Sequence, residues 1–165
     1  MELSEALLRV VDACNEARIV YGLAGGFAFS VYCEPRATYD IDLMISAELA
    51  TVERAVGVRF SSVYRNLESM QYPLIEVSRL LLIEREQEFV LDVLTPRTRE
   101  LAREFASGVR SVPFAGREVR VLSAELLWLL KHYSTRAQDR LDAEQLRSVI
   151  DESAAASLAR RFGSL

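Results

Sequence analysis

Gly25-Gly26-Phe27-Ala28 and, six residues further on, Pro35-Arg36-Ala37-Thr38-Tyr39-Asp40-Ile41-Asp42-Leu43 decide how this 165-residue chain is read. From Tyr39 to Ile45 the residues alternate, with Ile41, Leu43 and Ile45 on one face and Asp40, Asp42 and Met44 on the other. A period of two predicts a half-buried strand. Residues i and i+2 of a strand point the same way, roughly 6–7 Å apart, so Asp40 and Asp42 share a face. Two carboxylates there repel each other unless a cation lies between them, and hard divalent ions such as Mg²⁺ prefer carboxylate oxygen. The plain alternative is a solvated strand face. Just upstream, Ile19–Leu23 reads as a short strand and Phe27–Cys33 as a helix opened by the glycines and stopped by Pro35. Glycine permits close backbone approach to a ligand, and a helix N-terminus offers N–H groups to phosphate. A tight turn is the plain reading of Gly25-Gly26.

Working outward, Leu3, Leu7, Val10 and Cys14 fall at helical spacing and predict a helix over 3–18, with Ser4 as its cap. Ser46 is placed to cap a helix from Ala47 to Val56. Residues 57–78 read as a strand plus a loop. Arg79–Ile83 and Glu88–Leu94 are strands, and the four residues Glu84 to Gln87 form their hairpin loop. Thr95-Pro96 reads as a helix start, Thr as cap and Pro at the first position, with the helix running to Ala106. Gly116 separates short strands at Val109–Pro113 and Arg117–Leu122. Ser123 caps a long helical segment with an apolar stripe of Leu126, Leu129, Leu130, Tyr133 and Ala137. One or two more helices reach Phe162. The order predicts an α/β (α+β) domain with a mixed sheet and a C-terminal helical cap: residues 1–122 form the α/β core and 123–165 a helical extension packed on it.

Composition excludes several classes. Half the residues are hydrophobic and 27% charged, so a core forms without metal or disulfide. Cys14 and Cys33 are too few for a disulfide scaffold, and a reducing cytoplasm is expected. The apolar runs are about five residues, against the ~20 of a membrane span. A net charge of −4 argues against broad non-specific nucleic-acid binding. Of 20 basic residues 19 are Arg, which singles out Lys131. Its neighbour His132 and the single Trp128 read as packing or helix-surface residues.

Asp92 interrupts the apolar strand Phe89-Val90-Leu91-Asp92-Val93-Leu94, where an unpaired carboxylate is costly and a partner or metal is expected. Strand, Gly-Gly, helix, Asp-x-Asp strand and a third Asp on a later strand resemble, in that order, the nucleotidyltransferase superfamily of the DNA polymerase β fold. The segment from Gly25 to Leu43, together with Lys131-His132-Tyr133-Ser134-Thr135-Arg136-Ala137-Gln138-Asp139-Arg140-Leu141-Asp142, resembles its minimal bacterial AbiEii-related branch. Cys33 departs from the Gly often found there. The resemblance implies that Asp40, Asp42 and Asp92 ligate Mg²⁺ or Mn²⁺ and, with Lys131, carry catalysis. Gly25, Gly26, Arg36 and Thr38 would approach or support the nucleotide phosphates, and Lys131 would stabilise their charge. It implies transfer of a nucleoside monophosphate from an NTP, such as ATP, to an acceptor hydroxyl by a two-metal mechanism, the acceptor being a small molecule, tRNA or protein. A homodimer or partner protein would help bind that acceptor.

Two other readings compete. One is a non-catalytic nucleotide- or partner-binding member of the same fold, such as a toxin–antitoxin component. The other is a Mn²⁺-dependent glycosyltransferase, which also uses Asp-x-Asp. In the helix after Lys131, Arg136, Asp139, Arg140 and Asp142 read either as a surface salt-bridge lattice or as groups orienting the helix of the site.

Overall fold

The computed structural model describes residues 1–163. Seven helices and eight strands follow in the order α1 (Leu3–Glu16), β1 (Tyr21–Leu23), α2 (Gly25–Tyr32), β2 (Asp40–Ile45), α3 (Leu49–Gly57), β3 (Ser62–Arg65), β4 (Met70–Gln71), β5 (Ile75–Glu84) and β6 (Gln87–Pro96). Then come α4 (Arg99–Ser107), β7 (Val109–Phe114), β8 (Arg117–Leu122), α5 (Ala124–His132), α6 (Ala137–Leu146) and α7 (Glu152–Phe162). The strands form one mixed sheet in the order β3-β5-β6-β2-β1-β8-β7, with β4 also on β5. β2–β6 and β1–β8 are parallel pairs and the remaining pairs antiparallel. The fold is thus α/β with a mixed sheet.

Alternation gives the sheet two faces. Ile41, Leu43, Ile45, Leu80, Leu82, Leu91 and Val93 are fully buried on the first. Asp40 and Asp42 are half-buried on the second. Three rungs build that second face. Tyr64, Leu81, Val90 and Asp40 align across β3-β5-β6-β2, then Arg79, Asp92 and Asp42, then Met70, Val77, Leu94 and Met44. Paired residues share a face, so the three acids project together.

Several local expectations shift. The first helix ends at Glu16 and starts from Glu2 without a side-chain cap, leaving Ser4 inside it. Ser46 likewise caps nothing, because α3 starts after Glu48. The hairpin loop is Arg85-Glu86 alone, since Glu84 still pairs with Gln87. Arg85 takes φ 57 to close it. Thr95 and Pro96 continue β6 against Glu76 and Ile75. The cap is Thr98, whose hydroxyl accepts the Leu101 N–H at 3.1 Å. Ser123 does cap α5, accepting from Leu126. The long helix beyond it is instead two. Ser134 accepts the Arg136 N–H at 3.2 Å and donates to Asp139 at 2.7 Å, local bonds that compete with helix continuation. The expected boundary at 122/123 falls between β8 and α5, and residues 164 and 165 lie outside the described residues. Among the described residues no helix is long and apolar enough to cross a membrane.

Candidate active site

Asp40 and Asp42 come from β2, and Asp92 comes from its parallel neighbour β6, with Asp42 and Asp92 directly in register. One carboxylate oxygen from each of the three lies within 4.8 Å of the others. Such crowding has an electrostatic cost, seen at Asp42. Burial first, then the charges of Asp40 and Asp92, push its carboxyl up to about 7, although Lys131 and Arg136 pull the other way. A divalent cation relieves that repulsion, and an all-oxygen donor set suits Mg²⁺ or Mn²⁺. The residues therefore fit a metal.

The glycines fit against the acids with no space to spare. Gly25 has φ +55, and a Cβ there would lie 1.8 Å from Asp42 Oδ2. A Cβ on Gly26 would meet Thr38 Oγ1 at 2.6 Å. The strand-to-helix turn can run over the acids only because both positions are glycine. Thr38 donates its hydroxyl to the Asp40 carbonyl at 3.3 Å, shaping the entry to β2.

Asp92 has the partner its burial demands. Arg79, opposite it on β5, donates Nε and Nη2 to the two carboxylate oxygens, both at 2.8 Å. Sequence reading missed Arg79. Its only signal is its place as the first residue of the expected strand Arg79–Ile83, whose register with β6 was not known.

A second network joins distant segments. Asp142 on α6 is fully buried. It accepts Arg36 Nε and Nη2 at 3.2 and 2.7 Å, Lys131 Nζ at 2.7 Å and Gln138 Nε2 at 2.9 Å. Lys131 also donates to Asp139 at 2.9 Å. Burial alone would raise the Asp142 carboxyl, but these bonds, Arg36 first, hold it below the usual range. Asp139 is lowered too, as Ser134 and Lys131 outweigh its burial. Arg36 and Lys131 both lie over the Phe29 ring of α2, at 5.5 and 5.9 Å. Asp142 is thus a buried hub and no part of a surface lattice. Lys131, 5% exposed, does not snorkel along a helix surface. Sequence reading had no sign that Asp142 and Arg36, 106 positions apart, would meet. Trp128 is buried, and the exposed His132 ring stacks on it at 4.7 Å.

One cavity of about 770 Å³ is lined by all eight residues singled out from the sequence: Gly25, Gly26, Arg36, Thr38, Asp40, Asp42, Asp92 and Lys131. Its floor continues past the acids as an apolar rung, Met70, Val77 and Leu94, and Leu127 and Leu130 of α5 line it too.

The fold is shared with solved structures. ANT(2")-Ia in complex with adenylyl-2"-tobramycin matches with a TM-score of 0.67 at 17% identity, over 98% of this chain and 97% of that one. The chain has the nucleotidyltransferase fold. An antigenic nucleotidyltransferase-like protein from Paracoccidioides brasiliensis matches with a TM-score of 0.64 at 15% identity, over 97% of this chain and 88% of that one. A Thermotoga maritima chain described as a nucleotidyltransferase matches at 0.58 and 20%, over 90% and 92%. Neither a family model nor a curated protein sequence matches the chain. These matches show the fold alone and single out no branch of it.

Proposed function

We propose that this chain transfers a nucleoside monophosphate from an NTP to an acceptor hydroxyl, as an AbiEii-related nucleotidyltransferase dependent on Mg²⁺ or Mn²⁺. The observation that carries the reading is the convergence of Asp40, Asp42 and Asp92 within 4.8 Å, on a fold shared with nucleotidyltransferases. A divalent ion held by those acids would supply positive charge at the reacting phosphate, and a second would complete the two-metal arrangement.

The chain's own groups do the rest. In the transfer, the acceptor oxygen bonds the α-phosphorus, the bond to the leaving pyrophosphate breaks, and the hydroxyl proton passes by way of Asp92 to solvent. Asp92 is assigned that proton's first hydrogen bond. Each of its oxygens takes one N–H from Arg79 and keeps further lone pairs free. Arg79 fixes the carboxylate's plane. Gly25 and Gly26 expose backbone to the phosphates, and Thr38 and Arg36 brace the turn beneath them. Lys131 has two N–H groups on Asp139 and Asp142, and its third is assigned to a phosphate oxygen. Helices α5, α6 and α7 act as a helical extension of the 1–122 core, and α5 and α6 close the cavity.

The test is incubation with each radiolabelled NTP, Mg²⁺ and a cell lysate, followed by separation of RNA, protein and small molecules. Label should enter one of these classes with the wild type and none with Asp42→Asn. Absence of transfer with every NTP, or equal transfer by Asp42→Asn, would overturn the reading.

A further inference from the structure

Four cationic side chains line the cavity among the described residues: Arg36, Arg79, Lys131 and Arg136. Three are committed. Arg36 forks onto Asp142, Arg79 forks onto Asp92, and Lys131 bridges Asp139 and Asp142, each with at least one contact of 2.8 Å or shorter. Their charges are largely spent on carboxylates that are buried or nearly so.

Arg136 differs. It stands at the end of the connection between α5 and α6, with extended backbone at φ −71 and ψ 135. Its side chain is 72% exposed, and its one carboxylate neighbour, Asp139 Oδ2, is 3.8 Å away, beyond hydrogen-bond reach. That oxygen already accepts the Ser134 hydroxyl at 2.7 Å. All the guanidinium donors therefore remain available to a ligand. Arg136 lines the same cavity as Asp40, Asp42 and Asp92. Planar guanidinium matches phosphate oxygens two at a time and stays protonated, so a free Arg across a cavity from a metal-binding triad suits a polyanion spanning the gap.

We propose that Arg136 grips the phosphate tail of the nucleotide, distal to the α-phosphate that the acids address, and so sets the preference for triphosphate over monophosphate. This rests on the NTP site proposed above. Arg136 gives α6 no side-chain cap, so its replacement leaves the helix start unchanged.

The experiment is calorimetric titration with α,β-methylene ATP and GTP, and with AMP and GMP, in Mg²⁺. Wild type, Arg136→Gln, Arg136→Lys and Arg140→Gln are compared, with melting temperatures as the check on folding. Arg140, one turn into α6, is exposed and makes no carboxylate contact, so it controls for general charge loss. Arg136→Gln should weaken triphosphate binding about tenfold or more, the size of a lost charge-assisted contact. It should leave monophosphate binding within twofold, with partial recovery in Arg136→Lys. Triphosphate binding by Arg136→Gln within twofold of wild type, or equal losses in Arg136→Gln and Arg140→Gln, would overturn this inference alone. A wild type that binds no nucleotide would overturn the proposed NTP site and this inference with it.

Discussion

At the scale of single residues, the three acids set how the metal-free protein responds to pH. The folded state holds a proton on Asp42 with a value of about 7, against 3.8 for the free side chain. Folding therefore takes up a proton between those values, and stability present below about 4 is lost as pH rises toward 7. Metal-free protein should be less stable at pH 8 than at pH 5 by about 1 kcal/mol or more, read as a lower urea midpoint. Mg²⁺ should remove most of the difference, and a flat urea midpoint in EDTA from pH 5 to 8 would contradict this. Arg79 and Asp92 should respond unequally. Arg79→Gln strands a nearly buried carboxylate, whereas Asp92→Asn strands a guanidinium that is 43% exposed and can turn to water. The first should cost about 2–3 kcal/mol in EDTA and recover with Mg²⁺, and the second should cost less. Urea curves of both variants with and without Mg²⁺ check this, and a larger loss for Asp92→Asn would contradict it. Asp92 was legible as an acid in need of a partner because its strand is otherwise apolar. Arg79 was not, because one Arg among nineteen signals nothing until register places it opposite Asp92.

At the scale of elements, signals that depend only on near neighbours were readable. Tyr39–Ile45 announced β2 by alternation, Ser123 announced α5, and Ala115-Gly116, both with positive φ, turn β7 into β8. Misreadings arose where two local signals competed. Thr95 and Thr98 both look like caps, and only the pairing of Thr95 with Glu76 decides against the first. At the hairpin, Arg85 takes a left-handed conformation that costs an L-residue about 1 kcal/mol. Arg85→Gly should therefore stabilise the protein by up to about 1 kcal/mol, read as a higher urea midpoint, and a lower midpoint would show that the Arg side chain outweighs the turn. The Asp142 hub joins α6 to α5 and to the segment before β2. Asp142→Ala leaves the buried Lys131 ammonium with Asp139 alone and should cost about 3–5 kcal/mol. Its carboxyl lies below the usual range, so its contribution is present above about pH 4 and is lost as pH falls further. Thermal unfolding between pH 2.5 and 5 should show that acid loss in wild type and a shallower one in Asp142→Ala. Parallel profiles would contradict the hub's role.

At the scale of the whole molecule, the fold assembles one site from three separated regions. The Gly25–Asp42 segment supplies the turn and two acids, the β5–β6 hairpin supplies Asp92 with its Arg79, and α5–α6 supplies Lys131, Arg136 and the closing wall. The order of motifs was enough to anticipate a mixed sheet and the polymerase β-like arrangement, because the glycines and acids sit in short contiguous stretches. The Arg36–Asp142 bond was not, since it spans 106 positions and depends on how α6 returns to α2. The acceptor, too, leaves no mark in a single motif: beyond the acids the cavity offers an apolar rung and Arg136 rather than a patterned sequence. The central claim is that the carboxylate triad directs attack at the α-phosphate of an NTP. The most direct test gives the protein, with Mg²⁺ and an acceptor-containing lysate, NTP labelled on either the α- or the γ-phosphate. Label from the α position should appear in product, label from the γ position only in released pyrophosphate, and Asp42→Asn should yield neither. Product labelled from the γ position, or α-label transferred as well by Asp42→Asn as by wild type, would contradict it.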